Sequence, residues 1–266
     1  MTGLWKKILS ALPFAAGTAT AGTPAVSAPA PDDQADAHWQ QVYSAREQYF
    51  VEHIGQFPED ILKMGNMIGV WPGGGLFVIP AKKISADAWV YTTFGFTNPD
   101  MPAGTTVSDV VTETDDQGRV TKTAGTLKAK PKAATAQGAA GYGYELFVLT
   151  RDQAQWPLWI LQWIANAEIL NDAGILDRVN QYDGLTVDGV QVGENESVNL
   201  LIAKARNPLP TGSSLPNGSM ELLVATVITD DEMRWSMEHG REALLDELIA
   251  GGVGQFSVRR RASVVK

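Results

Sequence analysis

The chain has 266 residues, a formal net charge of −9 at pH 7 and no cysteine. That length can bury a sizeable core as one large domain or two small ones, and the acidic balance argues against a nucleic-acid binder, which needs a basic face to neutralise phosphates. The lack of cysteine excludes disulfides, thiolate zinc sites and a cysteine nucleophile, and leaves only His38, His53 and His239 for imidazole chemistry.

Residues 1–14 open with Lys6 and Lys7 and a short apolar run broken by Pro13. The run fits a signal-like segment, with small residues between Ala19 and Ala30 for cleavage, or an amphipathic helix at the mouth of a tail; we favour the tail. Ala15–Asp36 is rich in Ala, Thr, Pro and Gly and is expected to be flexible linker. The expected organisation is thus a tail over 1–36 and one folded domain over 37–266.

From Ala37, residues Trp39, Val42, Tyr43, Tyr49, Phe50 and Ile54 recur at helical spacing, with Gly55 as the stop. His38 and His53 lie near opposite ends of this helix, too far apart to share a metal ion. Leu76–Ile79, after the Trp71–Gly75 turn, and Trp89–Phe94 read as strands. Thr106–Thr114 alternates, and Asp115–Gly118 predicts a hairpin turn into Val120. Gly125–Ala140 is expected to be an exposed, mobile loop.

The central stretch is GYGYELFVLTRDQAQWPLWILQWIANAEILNDAG, residues 141–174. Tyr144 and Leu146–Leu149 form a buried strand behind Gly141 and Gly143. Trp156-Pro157 opens a helix that carries Leu158, Trp159, Leu161, Trp163, Ile164, Ile169 and Leu170 and ends by Gly174. So much apolar and indole surface is expected to be core packing. It is not a membrane span, because Gln162, Asn166 and Glu168 interrupt it below the ~20 apolar residues a bilayer requires.

Tyr182-Asp183-Gly184 and Val187-Asp188-Gly189 are turn signals, Val198–Ala205 is a short amphipathic piece, and Met220–Ile228 reads as a second buried strand. Thr229 and Glu232 form a capping box for a last helix, whose inward stripe is Met233, Met237, Leu244 and Leu248 and whose end is Gly251-Gly252. Residues 259–266 carry +4 and residues 1–36 carry −1, which leaves −12 for residues 37–258. An acidic body with a basic tail fits solvated faces with the tail docked on its own domain, or a basic partner.

Motifs for nucleotide and metal chemistry are missing. Trp71–Gly75 lacks the Lys-Ser/Thr of a phosphate loop, and Leu146 stands where a dinucleotide fingerprint beginning at Gly141 needs glycine. No HExxH, EF-hand loop or G-x-S-x-G elbow occurs. Asn195-Glu196-Ser197 and Asn217-Gly218-Ser219 match the glycosylation acceptor, a short pattern that often arises by accident.

The unit YELFVLT…QWPLWILQWIANAEIL and the strand–capping box–helix unit GSMELLVATVITDDEMRWSMEHGREALLDEL resemble the suppressor-of-fused domain. WVYTTFGFTNPDMP is similar to a strand-and-loop motif of that family through Thr93, Gly95, Thr97 and Met101, and Arg261–Val264 is similar to the end of bacterial members. The resemblance covers roughly Ala37 to Val265. It implies an α/β (α+β) domain with a mixed, largely antiparallel sheet flanked by helices, and a binding protein without catalytic centre, metal or cofactor. Animal members are cytoplasmic proteins that hold a transcription factor by a short peptide. Bacterial members are stand-alone copies proposed as immunity proteins that neutralise toxins. Ala167 and Glu168 replace a bulky aromatic late in the family's central helix, and Asn180–Gly184 departs from its loop pattern. The contact residues of animal members are therefore not transferred.

The resulting expectation is a bacterial, cytoplasmic immunity protein with a protein or peptide partner, such as a basic toxin domain. Its contact residues are Asp172, Asp177, Tyr182 and Asp183, in the loop after the central helix. The alternatives are an enzyme using the carboxylates of Asp172–Glu196, with or without a divalent cation, and an exported, envelope-associated structural protein.

Overall fold

The structure is a computed structural model and describes residues 33–59, 65–66, 69–70, 75–99, 101–114, 120–131 and 138–266. The expectations for residues 1–32, for the Trp71–Gly74 turn and for the Asp115–Gly118 turn lie outside these.

Helix α1 spans Asp33–His53. Val42, Arg46, Phe50 and Ile54 fall at four-residue steps on one stripe, and all four are completely buried. The strands in chain order are β1 (Gly65–Asn66), β2 (Gly69–Val70), β3 (Gly75–Pro80), β4 (Trp89–Phe94), β5 (Pro102–Thr114), β6 (Val120–Pro131), β7 (Ala139–Thr150), β8 (Leu185–Gly193), β9 (Glu196–Lys204), β10 (Ser213–Leu215) and β11 (Gly218–Ile228). β1 pairs β2, β5 pairs β6, and the main sheet runs β3-β4-β7-β11-β9-β8 with β10 added to β11. Within the main sheet only β7 and β11 run parallel. That parallel pair needs a long crossover, and helices α2 (Trp156–Asn171) and α3 (Ile175–Tyr182) with β8 and β9 supply it.

Contacts divide the chain into two compact units. The larger covers residues 31–106 and 128–266 and holds the main sheet and the helices; of the smaller, residues 107–127 with 1–30, the described part lies in the β5–β6 hairpin.

Strand β7 is buried from Tyr144 to Thr150, as expected for a strand covered on both faces. Side chains alternate along a strand, so Glu145, Phe147 and Leu149 share one face, where Phe147 and Leu149 pack with Phe50 of α1 and with Ile54 just after it. Phe94 in this cluster meets the rings of Phe50, Phe57 and Phe77 edge-on at 5.5, 5.0 and 5.4 Å. Each such pair adds about 0.5–1.5 kcal/mol beyond area burial. The opposite face of β7 meets α2, which also packs on β4 and β8.

Several expectations are corrected. Gly125–Pro131 is strand rather than loop, because β6 continues to Pro131, and Ala139 and Ala140 already belong to β7. Val198–Lys204 is strand β9. Val187–Gly189 lies inside β8, where Gly189 at φ 64° sits in a bulge instead of ending the strand. The last helix is two, α4 (Asp230–His239) and α5 (Arg241–Ala250), because Gly240 at φ 96°, ψ 159° leaves helical geometry. Met237, near the end of α4, is 68 % exposed, while Met233, Leu244 and Leu248 are buried as expected.

The capping box is present: Thr229 Oγ1 accepts from the Glu232 amide at 3.2 Å, and Glu232 Oε2 accepts from the Thr229 amide at 2.9 Å. The tail docks on its own domain. The Ser257 amide donates to the Leu149 carbonyl at 2.7 Å, and the Arg261 guanidinium grips both oxygens of Glu232 at 2.6 Å each. Arg259 pairs with Glu196 at 2.5 Å.

Candidate partner-binding surface

Helix α2 begins without a side-chain cap and has Pro157 in its first turn, where a missing N–H breaks no intrahelical bond. It ends earlier than Gly174. Asp172 is its C-cap, left-handed at φ 49°, ψ 52°, a conformation that Asp and Asn tolerate better than other side chains. After two further residues α3 starts, so the expected loop is a second helix meeting the first at a corner.

That corner is fixed by a carboxylate inside the apolar helix. Glu168 exposes only 2 % of its surface. It accepts hydrogen bonds from the Gly174 amide at 3.1 Å, the Ile175 amide at 3.1 Å and the Tyr144 hydroxyl at 3.0 Å. Two amides at the start of α3, which lack intrahelical partners, are thereby satisfied, and an anion lies at the positive end of the helix dipole. Burial, with the nearby Glu168 carboxylate second, raises the Tyr144 phenol well above its ordinary pKa, and burial with Glu168 and Asp172 raises that of Tyr142.

With α3 so held, Ile175 and Val179 face inward and Asp177 projects away from them in the first turn. Tyr182, the last helical residue, is 49 % exposed, and Asp183 closes the helix as a left-handed C-cap at φ 54°. Asp172, Asp177, Tyr182 and Asp183 are all exposed, but the structure does not gather them into one pocket. Asp172 and Asp183 lie at opposite ends of an eight-residue helix, about 12 Å long. What they form is an acidic strip.

The strip runs into the sheet edge. Leu185 starts β8 two residues after Asp183, and among the described strands β8 has a neighbour on one side only, β9. Leu185, Thr186 and Val187 pair regularly with Ile202, Leu201 and Leu200, after which two register shifts bend the edge. Residues 168–196 hold seven carboxylates and one cation, Arg178. Its Nε is turned back on the Ala173 carbonyl at 2.8 Å.

Among the described residues no group of three or more His, Asp or Glu could hold a metal ion, and no helix is long and apolar enough to cross a membrane. A groove of about 510 Å³ lies between α1 and residues 210–213, on the sheet face opposite α2. The Tyr49 hydroxyl in it donates to the Thr211 carbonyl, and burial pushes its pKa up to about 12.

Three features escaped the sequence reading. Helix α3 was hidden by its Asp and Asn content, although Ile175 and Val179 are four apart. Glu168 was visible as a lone carboxylate in an apolar helix, the signal of a buried polar anchor. The tryptophans of α2 were expected to be core, yet Trp163 is 40 % exposed and Trp156 and Trp159 are only half-buried.

A family model described as Suppressor of fused protein (SUFU) matches residues 73–261. Among curated proteins no sequence matches. Among solved structures, a putative SUFU homolog from Neisseria gonorrhoeae FA 1090 is 17 % identical, with a TM-score of 0.49 over 87 % of this chain and 98 % of that one. Drosophila Suppressor of Fused is 15 % identical with a TM-score of 0.48, and the match spans 85 % of this chain and 51 % of that one. A structure of the Sufu–Fu complex gives 16 % identity, a TM-score of 0.44 and coverage of 87 % and 91 %. With its α/β fold, its largely antiparallel sheet and a family match over most of its length, the chain belongs to the suppressor-of-fused family.

Proposed function

We propose that the protein is a non-enzymatic protein-binding domain, most concretely a cytoplasmic immunity protein that captures a basic toxin domain or peptide. The observation that carries this reading is the acidic strip beside the edge of β8: Asp172, Asp177, Asp183, Asp188 and Glu194 are exposed there beside a single cation, Arg178, while Glu168 is buried and Glu196 is paired with Arg259. Asp172, Asp177 and Asp183 steer and hold cationic side chains, and Tyr182 gives apolar contact. Leu185–Val187 offers backbone groups for an added strand. Family membership supports a binding role, since animal members are binding proteins. In this reading residues 37–266 are the binding domain and 1–36 a tail whose last residues, 33–36, already form the first turn of α1.

Pull-down with the full chain as bait, followed by titration of the captured protein, tests it. Asp177→Lys combined with Asp183→Asn reverses one charge and removes another without placing a β-carbon-strained residue at the left-handed cap. The pair is expected to weaken capture about tenfold or more, mainly through association rate and at low salt, while urea unfolding falls by no more than about 1 kcal/mol from the loss of Asp177 in the first turn of α3. Unchanged affinity removes the strip from consideration.

A further inference from the structure

Helix α2 is largely apolar, with Gln162, Asn166, Asn171 and the buried Glu168 as its polar residues, yet one apolar face is only partly covered. Trp156, Trp159, Trp163, Ala167 and Leu170 lie on that face; Trp163 is exposed and the other four are half-buried. The opposite face, with Ile160, Leu161, Ile164 and Ala165, is fully buried. The open stripe is about 21 Å long. Its spacing is three, four, four and three residues, the same in either direction about Trp163.

The two ends of the stripe carry opposite charge. At the start of α2 the Arg259 guanidinium lies 5.8 Å from the Trp156 ring centroid, and Arg260 is 89 % exposed. Glu196 serves both, at 2.5 and 3.7 Å, so one positive charge remains in excess. At the other end Asp172 caps the C-terminus of α2, where the helix dipole is already negative and a cation is favoured.

We propose that a second copy of this chain covers the stripe, in a two-fold symmetric dimer with the α2 helices antiparallel and Trp163 on the axis. In that arrangement residue 163 − k of one copy faces 163 + k of the other. Trp159 meets Ala167, large against small, and Trp156 meets Leu170. The Arg259–Arg260 end of each copy falls beside Asp172 of its mate, and the helix dipoles oppose. The two surfaces meet at Asp172, but the dimer does not use Asp177 or Asp183 and partner capture does not use Trp163, so variants at those positions fail separately.

Sedimentation velocity of the full chain over a concentration series is expected to show a reversible monomer–dimer equilibrium; a monomer up to the solubility limit overturns the proposal. Trp163→Glu is expected to weaken association more than about tenfold, with the monomer still folded cooperatively in urea, because 40 % of the residue is already exposed. A dimer of undiminished affinity in that variant overturns the assignment to α2. The chain has no cysteine, so geometry can be read by cross-linking. Trp163→Cys is expected to form a covalent dimer on oxidation at dilutions where Met237→Cys, on exposed α4 surface, stays monomeric. Equal cross-linking of the two overturns the two-fold arrangement.

Discussion

The Arg46 guanidinium lies 3.6 Å from the Glu145 carboxylate, and neither side chain exposes any surface. The pair joins α1 to β7 through the core. Glu145 is well satisfied: it accepts from Thr93 Oγ1 at 2.7 Å, the Gly95 amide at 2.9 Å, the Thr97 amide at 3.1 Å and Thr97 Oγ1 at 2.8 Å. Arg46 is less so. Nη1 donates to Thr97 Oγ1 at 2.8 Å and the group stacks 4.2 Å over the Phe94 ring, but Nε and Nη2 have no hydrogen-bond partner. Burial lowers its pKa against the pull of Glu145, without discharging it.

Removing one partner leaves the other as an uncompensated buried charge. Arg46→Met is expected to cost about 3–5 kcal/mol in urea unfolding. Arg46→Met with Glu145→Leu should cost less than the sum of the single changes, by about 1–3 kcal/mol of coupling. Strict additivity in that cycle would show that the two groups act separately.

Tyr144 supports the acidic corner from below through Glu168. Tyr144→Phe removes one donor from a buried carboxylate and is expected to cost about 1–3 kcal/mol. It should also change the alkaline limb of stability. The folded pKa lies well above the phenol's ordinary value of 10.0, so its contribution is complete below pH 10.0 and is lost as pH rises above it, when unfolded tyrosines ionise first. Urea midpoints measured on both sides of that pH should fall more in the parent protein than in the variant. Parallel declines would mean that Tyr144 ionises alike in both states.

The sheet was legible where each residue type had one use. Leu146–Leu149 and Met220–Ile228 are too apolar for anything but buried strands, and Thr229 with Glu232 marks a helix start unambiguously. The acidic strip was legible as residues but not as shape, because its form depends on Glu168, whose role requires knowing that Tyr144 and the Gly174 amide lie beside it. The same holds for Arg46 and Glu145. Each sits on an apolar stripe, but the 98 positions between them give no local sign that they meet. Met237 failed for another reason, since the stripe was drawn along one continuous helix and Gly240 ends α4 three residues after Met237, so the chain does not continue over it in that direction.

Gly141 shows how closely the central strand approaches the loop after β4. A β-carbon there would lie 2.3 Å from the Phe96 carbonyl oxygen and 2.6 Å from that of Asn98, and the residue sits at φ +54°. The Tyr142 amide next to it donates to the Phe96 carbonyl at 2.8 Å. Gly141→Ala is therefore expected to cost more than about 2 kcal/mol, the sum of left-handed strain and displacement of backbone. Gly138→Ala is the control, because it has φ +70° with nothing within 4 Å, and strain alone should cost about 1–2 kcal/mol. Similar urea midpoints for the two variants would show that the loop yields without penalty.

The docked tail ties acid stability to one ion pair. Burial alone would raise the Glu232 carboxyl. The two hydrogen bonds from Arg261, with the amides of Val264 and Thr229, outweigh it and hold the group below the ordinary carboxyl value of 4.5. The sign follows: below that value the unfolded state takes up the proton first, so this stability is present above pH 4.5 and is lost as pH falls through the folded pKa. Arg261→Gln removes the charge that depresses the pKa, so it should destabilise the protein near neutrality by about 1–3 kcal/mol and flatten the pH dependence below 4.5 relative to the parent. Urea unfolding at a series of pH values measures both effects. The two proteins' curves should converge on acidification, as protonated Glu232 gives Arg261 no charge to grip. A constant offset between them at every pH would assign the loss to packing of the Arg261 stem instead.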